Sequence, residues 1–131
     1  QLVAKPHPTT GVVKFCDPLM GASTLEYADL TAYAVQSLTD ILQRNQVAVV
    51  ADTPKTLTVG VVAATCDEEA SGLKFNVTLS AAAGEMPARS FTGFQRSWSA
   101  HGNNFAVTAA TLNAVLEMFK DPEIRAYLEE G

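Results

Sequence analysis

Residues 73–80 read LKFNVTLS, with Leu73, Phe75, Val77 and Leu79 alternating against Lys74, Asn76, Thr78 and Ser80. A period of two is that of a strand with one face buried and the other wet. Just upstream, Leu57, Val59, Val61 and Ala63 alternate in the same way and lead to Cys66, and Asp67 to Gly72 reads as an acidic turn between the two runs. Downstream, Gly84–Glu85–Met86–Pro87 is a second turn, and Arg89 to Trp98 is a third strand with weaker alternation. Gly93 inside it signals a bulge or a close contact. Three strands joined by short loops form an antiparallel meander.

Further out, the period changes to that of helices. Ser23 followed by Glu26 has the form of a capping box, and Tyr27, Leu30, Ala34, Leu38, Ile41 and Leu42 recur at helical spacing up to Arg44, with Asn45 as a left-handed stop. After the strands, Asn103 or Asn104 caps a second helix, whose Phe105, Ala109, Leu112, Leu116 and Phe119 are spaced four, three, four and three apart. Asp121 caps a short third helix with Pro122 at its first position. Val12–Cys16 reads as a buried first strand and Val47–Val50 as a brief one after the first helix. The resulting order is β-α-β-β-β-β-α-α, an α+β fold of mostly antiparallel sheet with two long helices on one face. Leu112 and Leu116 are expected against Phe75, Val77 or Leu79. The opposite sheet face, rich in Thr, Ser, Asn and Lys, is left for solvent or a partner.

With 131 residues, this is one domain long enough to bury a core without staples. Residues 1–10, with Pro6 and Pro8, read as an extended tether and residues 11–131 as the domain. Gln1 is not a natural start, so a targeting segment is expected upstream. No apolar run reaches the roughly 18–20 residues that span a bilayer as a helix. A net charge of −5 with scattered basic residues argues against nucleic acid, whose phosphates call for clustered Lys and Arg.

Chemistry-bearing residues are few. His101 lies in a polar loop and reads as solvent-exposed rather than as a general base. His7 and His101 have no partner at metal-ligand spacing, so no metal or other cofactor is expected. Cys16 as a nucleophile would need a positioned base, and His101 is the only candidate in the folded part. The Gly21–Thr24 loop lacks the lysine and spacing of a phosphate loop. Phe94, Arg96 and Trp98 form a candidate aromatic binding surface at the end of the third meander strand, with His101 beyond it.

Cys16 and Cys66 permit one disulfide. If Cys16 ends the first strand, Val47–Val50 runs parallel to it and the next strand returns antiparallel, the two thiols fall at opposite ends of the sheet. Bridging needs alpha carbons within about 7 Å, so this strand order predicts free thiols, although an oxidising compartment favours pairing.

The stretches LTVGVVAA (57–64), FNVTL (75–79), RSFTG (89–93) and FKDPEIRAYL (119–128), with the early helix, resemble small bacterial outer-membrane lipoproteins of the YajG type and related periplasmic domains. That resemblance spans most of the chain and carries no catalytic signature. It implies a signal peptide and a lipidated cysteine upstream of Gln1, a periplasmic location and no assigned reaction. The lipidation cysteine itself is not in this chain, and Cys16 sits too far inside to be it.

The function expected is a non-enzymatic periplasmic domain. Lipid-anchored in the outer membrane at its N-terminus, it would bind protein or cell-envelope components through its sheet face or an edge strand, with a homodimer as one form of such pairing. The alternative is a small-molecule or glycan-binding module around Phe94 and Trp98. A small enzyme using Cys16 or His101 is a third reading.

Overall fold

The computed structural model describes residues 2–7, 9–11, 13, 26–49, 55–69, 72–97 and 103–129. Strand β1 (Val3–Pro6) is followed by helix α1 (Tyr27–Arg44), strands β2 (Thr56–Glu69), β3 (Gly72–Ala83) and β4 (Arg89–Ser97), and helices α2 (Asn103–Phe119) and α3 (Pro122–Glu129). One sheet runs in the order β1-β2-β3-β4. β1 lies parallel to β2, while β2–β3 and β3–β4 are antiparallel. The fold is α+β, in the element order read from the sequence. Of the Val47–Val50 stretch, Val49 makes an isolated parallel bridge to Leu2, and residue 50 lies outside the described residues.

The first strand is not where the pattern put it. Val3–Pro6, read as tether, is the edge strand beside β2, and Leu2 just before it is 1% exposed. Four residues of which Val3 alone is buried are too few to show a period. Of the expected strand at 12–16, Val13 is a buried loop residue and 12 and 14–16 lie outside the described residues. Ser23 also lies outside them. The N-cap of α1 is Glu26, whose backbone N–H donates to the Asp29 carboxylate at 3.0 Å. At the other end Gln46, with φ 66°, takes the left-handed conformation assigned to Asn45, which instead donates its side-chain amide to the Ile41 carbonyl at 2.7 Å.

The core lies between the helices and one face of the sheet. Leu30, Ala34, Leu38 and Leu42 of α1, which packs on β2, share one buried cluster with Leu57, Val59 and Val61 of β2 and Phe75, Val77 and Leu79 of β3, over which α2 lies. Each large side chain so buried contributes roughly 1.5–3 kcal/mol by transfer bookkeeping. A register shift between Val61 and Ala63 leaves Val62 bulged and exposed. Beyond it Asp67, Glu68 and Glu69, read as a turn, continue β2, because Asn76 donates to Asp67 at 2.9 Å and Arg96 pairs with Glu69 at 3.4 Å across the sheet.

α2 buries a different face from the one its large residues suggest. Ala106, Val107, Ala110, Thr111, Ala114, Val115 and Met118 point inward, whereas Phe105 is 77% and Leu116 43% exposed. The cause is Gly93. A Cβ there would sit 2.2 Å from the Ala114 nitrogen and 2.3 Å from the Ala110 oxygen. Helix backbone rests directly on strand backbone, and only small side chains fit at that separation. Leu116 is therefore not in the core, and Leu112 is only partly buried.

Cys66 is disulfide-bonded, and Cys16, the chain's other cysteine, lies outside the described residues. This overturns the expectation of free thiols. That expectation assumed β2 runs antiparallel to its predecessor; instead β1 is parallel to it and the following residues continue along β2. The His7 N–H donates to the Val59 carbonyl at 2.6 Å, His7 and Thr9 abut Gly60, and Gly11 abuts Tyr27, whose hydroxyl accepts from the Ala64 N–H at 3.4 Å. The chain thus advances toward the Cys66 end of β2.

Candidate functional site

The two edges of the sheet are treated differently. β1 is short and carries Lys5 and Pro6, residues that blunt an edge. Where β1 stops, α1 takes over: the Thr31 hydroxyl accepts from the Val61 N–H at 2.9 Å, and Tyr27 does the same for Ala64. Thr31 is buried for this purpose, a role invisible in a helical hydrophobic stripe.

β4, at the other edge, is nine residues long, has no proline and pairs with β3 in unbroken register from Leu73↔Ser97 to Ala81↔Arg89. A strand residue points its N–H and C=O to the same edge. Asn113 of α2 donates its side-chain amide to the Phe94 carbonyl at 2.8 Å. This marks Ser90, Thr92, Phe94 and Arg96 as the residues whose backbone groups face away from β3. Among the described residues, that edge is capped at two carbonyls, Phe94 by Asn113 and Arg96 by the Gln95 side-chain amide at 3.4 Å, and its outward N–H groups have no hydrogen-bond partner there.

Two surfaces flank the free edge. On the helix side, a groove of about 530 Å³ runs between residues 92–95 and Asn113, Leu116, Glu117 and Lys120 of α2. On the open side, the side chains form cross-strand pairs: Thr78 with Thr92 at 3.2 Å, Asn76 with Asp67, and Arg96 with Glu69. Phe94 is the apolar exception, 52% exposed, with the Lys74 ammonium 4.6 Å from its ring centroid.

Of the sequence-derived site residues, Phe94 and Arg96 share the open face of β4, two positions apart, while Trp98, His101 and Cys16 lie outside the described residues. The sequence reading missed the groove, because its helix wall is built from residues assigned to the core stripe or to solvent. Asn113 could not have been singled out without knowing that α2 lies over β4. Among the described residues no three or more His, Cys, Asp or Glu side chains are grouped as metal ligands, and no helix is long and apolar enough to cross a membrane.

The electrostatics near this edge centre on the start of β4. Arg89 pairs with Asp121 at 2.7 Å and Glu123 at 2.9 Å, tying β4 to the start of α3. Asp121 also accepts the N–H groups of Glu123 and Ile124 at 2.9 and 3.1 Å, the cap read from the sequence. The backbone bond from Ile124 and then the Arg89 guanidinium hold its carboxyl below the ordinary aspartate range. No family model, curated protein or solved structure matches the chain.

Proposed function

We propose that this chain is a non-enzymatic binding domain of the periplasm, lipid-anchored to the outer membrane through a segment preceding Gln1, that engages protein or cell-envelope components along β4 and the open sheet face. The observation that carries the reading is the contrast between edges: one is blunted and capped, and the other offers outward backbone groups at four successive alternate residues beside a groove. Such an edge supplies main-chain hydrogen bonds for affinity and adjacent pockets for side-chain specificity. The disulfide at Cys66 supports an oxidising compartment, and the resemblance to YajG-type lipoproteins supports the anchor.

A second reading, a small-molecule or glycan site, draws on the exposed Phe94 ring beside Lys74. Planar apolar faces receive sugar rings through the same contacts that receive side chains, and Phe94 serves either reading.

Photocrosslinking in living cells separates them. A photoreactive residue in place of Phe94 should yield protein adducts that are absent when it replaces Ala28, an exposed residue of α1. A full absence of protein adducts at Phe94, with loss of a glycan ligand on Phe94→Ala, would favour the second reading. Membrane fractionation of the full-length protein tests the anchor: recovery in the soluble fraction would contradict it.

A further inference from the structure

We infer that a second copy of this chain occupies the β4 edge, so that two four-stranded sheets join into one of eight strands with their α2 helices side by side on one face. This rests on the reading of β4 as the binding edge and names its occupant.

Two features coincide here, the open β4 edge and the exposed side of α2. α2 carries apolar residues on two sides: the small ones buried on the sheet, and Phe105, Ala109 and Leu116 away from it, whereas Phe119 packs against the core. Positions four and seven apart share one side of a helix, where they can meet another helix. In this fold Phe105 and Leu116 are exposed, and Leu116 lines the groove beside residues 92–95. An added strand alone would cover the edge and leave the exposed side of α2. A helix alone would cover that side and leave the edge. A second copy placed by a two-fold axis beside β4 covers both.

Distance permits such a pair. α2 packs on both β4 and β3, with Gly93 beneath it. Strands are about 4.8 Å apart, so a helix above the β3–β4 gap stands about 4.8 Å from an axis midway between β4 and its copy. The two α2 helices would then lie about 10 Å apart, within the packing distance of helices. Antiparallel strands related by a two-fold axis also make the helices antiparallel. With the axis near Asn113, which touches Phe94, Leu116 of one copy meets the Ala109 region of the other. Phe105 meets the stretch 116–120.

Charge permits it too. Whether Phe94 lies opposite Thr92 or opposite itself, Arg96 faces Ser90 or Thr92, and no two like charges on β4 stand opposite each other. The Phe94 carbonyl has two lone pairs, so the Asn113 bond leaves one for an incoming N–H. A nine-residue strand spans roughly 30 Å, and the contact is two layers, roughly 20 Å, deep, on the order of the 800 Å² per partner that a stable interface needs.

Sedimentation equilibrium of the purified chain from about 1 µM to about 1 mM tests the inference. The expected result is a monomer–dimer equilibrium. Thr92→Pro removes an outward N–H without removing a β3 bond and should give a monomer with an unchanged circular dichroism spectrum. Because a strand proline can unfold the chain, Leu116→Lys is the second variant. It alters an exposed residue and should raise the dissociation constant at least about tenfold. A chain monomeric throughout the range, or a dimer indifferent to Leu116→Lys, overturns the inference. Crosslinks from position 94 to other proteins, in a chain that stays monomeric, would leave β4 as the binding edge and remove only the second copy as its occupant.

Discussion

At Gly93 strand and helix touch backbone to backbone, so a single methyl group has nowhere to go. The atoms that a Cβ would meet, the Ala114 nitrogen and the Ala110 oxygen, belong to a helix backbone that cannot swing aside as a side chain does. Gly93→Ala is expected to cost about 1–3 kcal/mol, the range for overpacking, in a urea melt; a loss below about 0.5 kcal/mol, the usual range of surface changes, would mean α2 stands further off. Asp121 shows the opposite kind of residue-scale control. Its carboxyl is held below the ordinary aspartate range, so its contribution is present above the unfolded-state pKa and is lost as pH falls through the lower folded value. Asp121→Ala should therefore lower the melting temperature at pH 7, with a difference that shrinks at pH 2. An equal difference at both pH values would place its role outside ionisation. The Asp121–Pro122 pair announced this cap in the sequence, because both residues have strong positional meaning there. Gly93 announced a close contact but not what made it.

At the scale of elements, the two long helices were legible to different degrees. α1 has one apolar stripe and a polar remainder, so its period identifies its buried face as Leu30, Ala34, Leu38 and Leu42. α2 is apolar on two sides, and size misleads. Phe105, Leu112 and Leu116 look like a core stripe, yet close approach at Gly93 selects Ala110 and Ala114. The large residues are turned toward the groove and the solvent. The strands β2, β3 and β4 were readable because each alternates against a neighbour joined by a short turn. β1 was not, since a four-residue edge strand ending in Pro6 carries no period. Among the described residues Phe75 is the largest fully buried side chain, on the helix-covered face of β3. Phe75→Ala should cost about 3–5 kcal/mol in a urea melt; a value below about 1 kcal/mol, typical of a surface position, would move the core elsewhere.

The whole molecule hangs on the direction in which the chain leaves β1. A parallel β1–β2 pair sends His7, Thr9 and Gly11 along β2 toward the end that carries the disulfide-bonded Cys66. With Cys16 as its partner the loop spans about 50 residues, and its loss by reduction should cost on the order of 4 kcal/mol in the loop-entropy model. Thiol titration of the unfolded, unreduced chain should find no free thiols, and two per chain would refute the pairing. The same topology puts β4, not β1, at the open edge, which pattern alone could not decide. It also brings only Phe94 and Arg96 of the sequence-derived site onto one described surface.

Everything proposed for β4 depends on its outward N–H groups being unoccupied. Residue-resolved amide hydrogen exchange on a dilute sample reads this directly. Slow exchange is expected at Phe91, Gly93 and Gln95, whose N–H groups face β3, and fast exchange at Thr92, Phe94 and Arg96. Equally slow exchange at all six would mean that the edge is already covered within the chain, and would contradict the proposal.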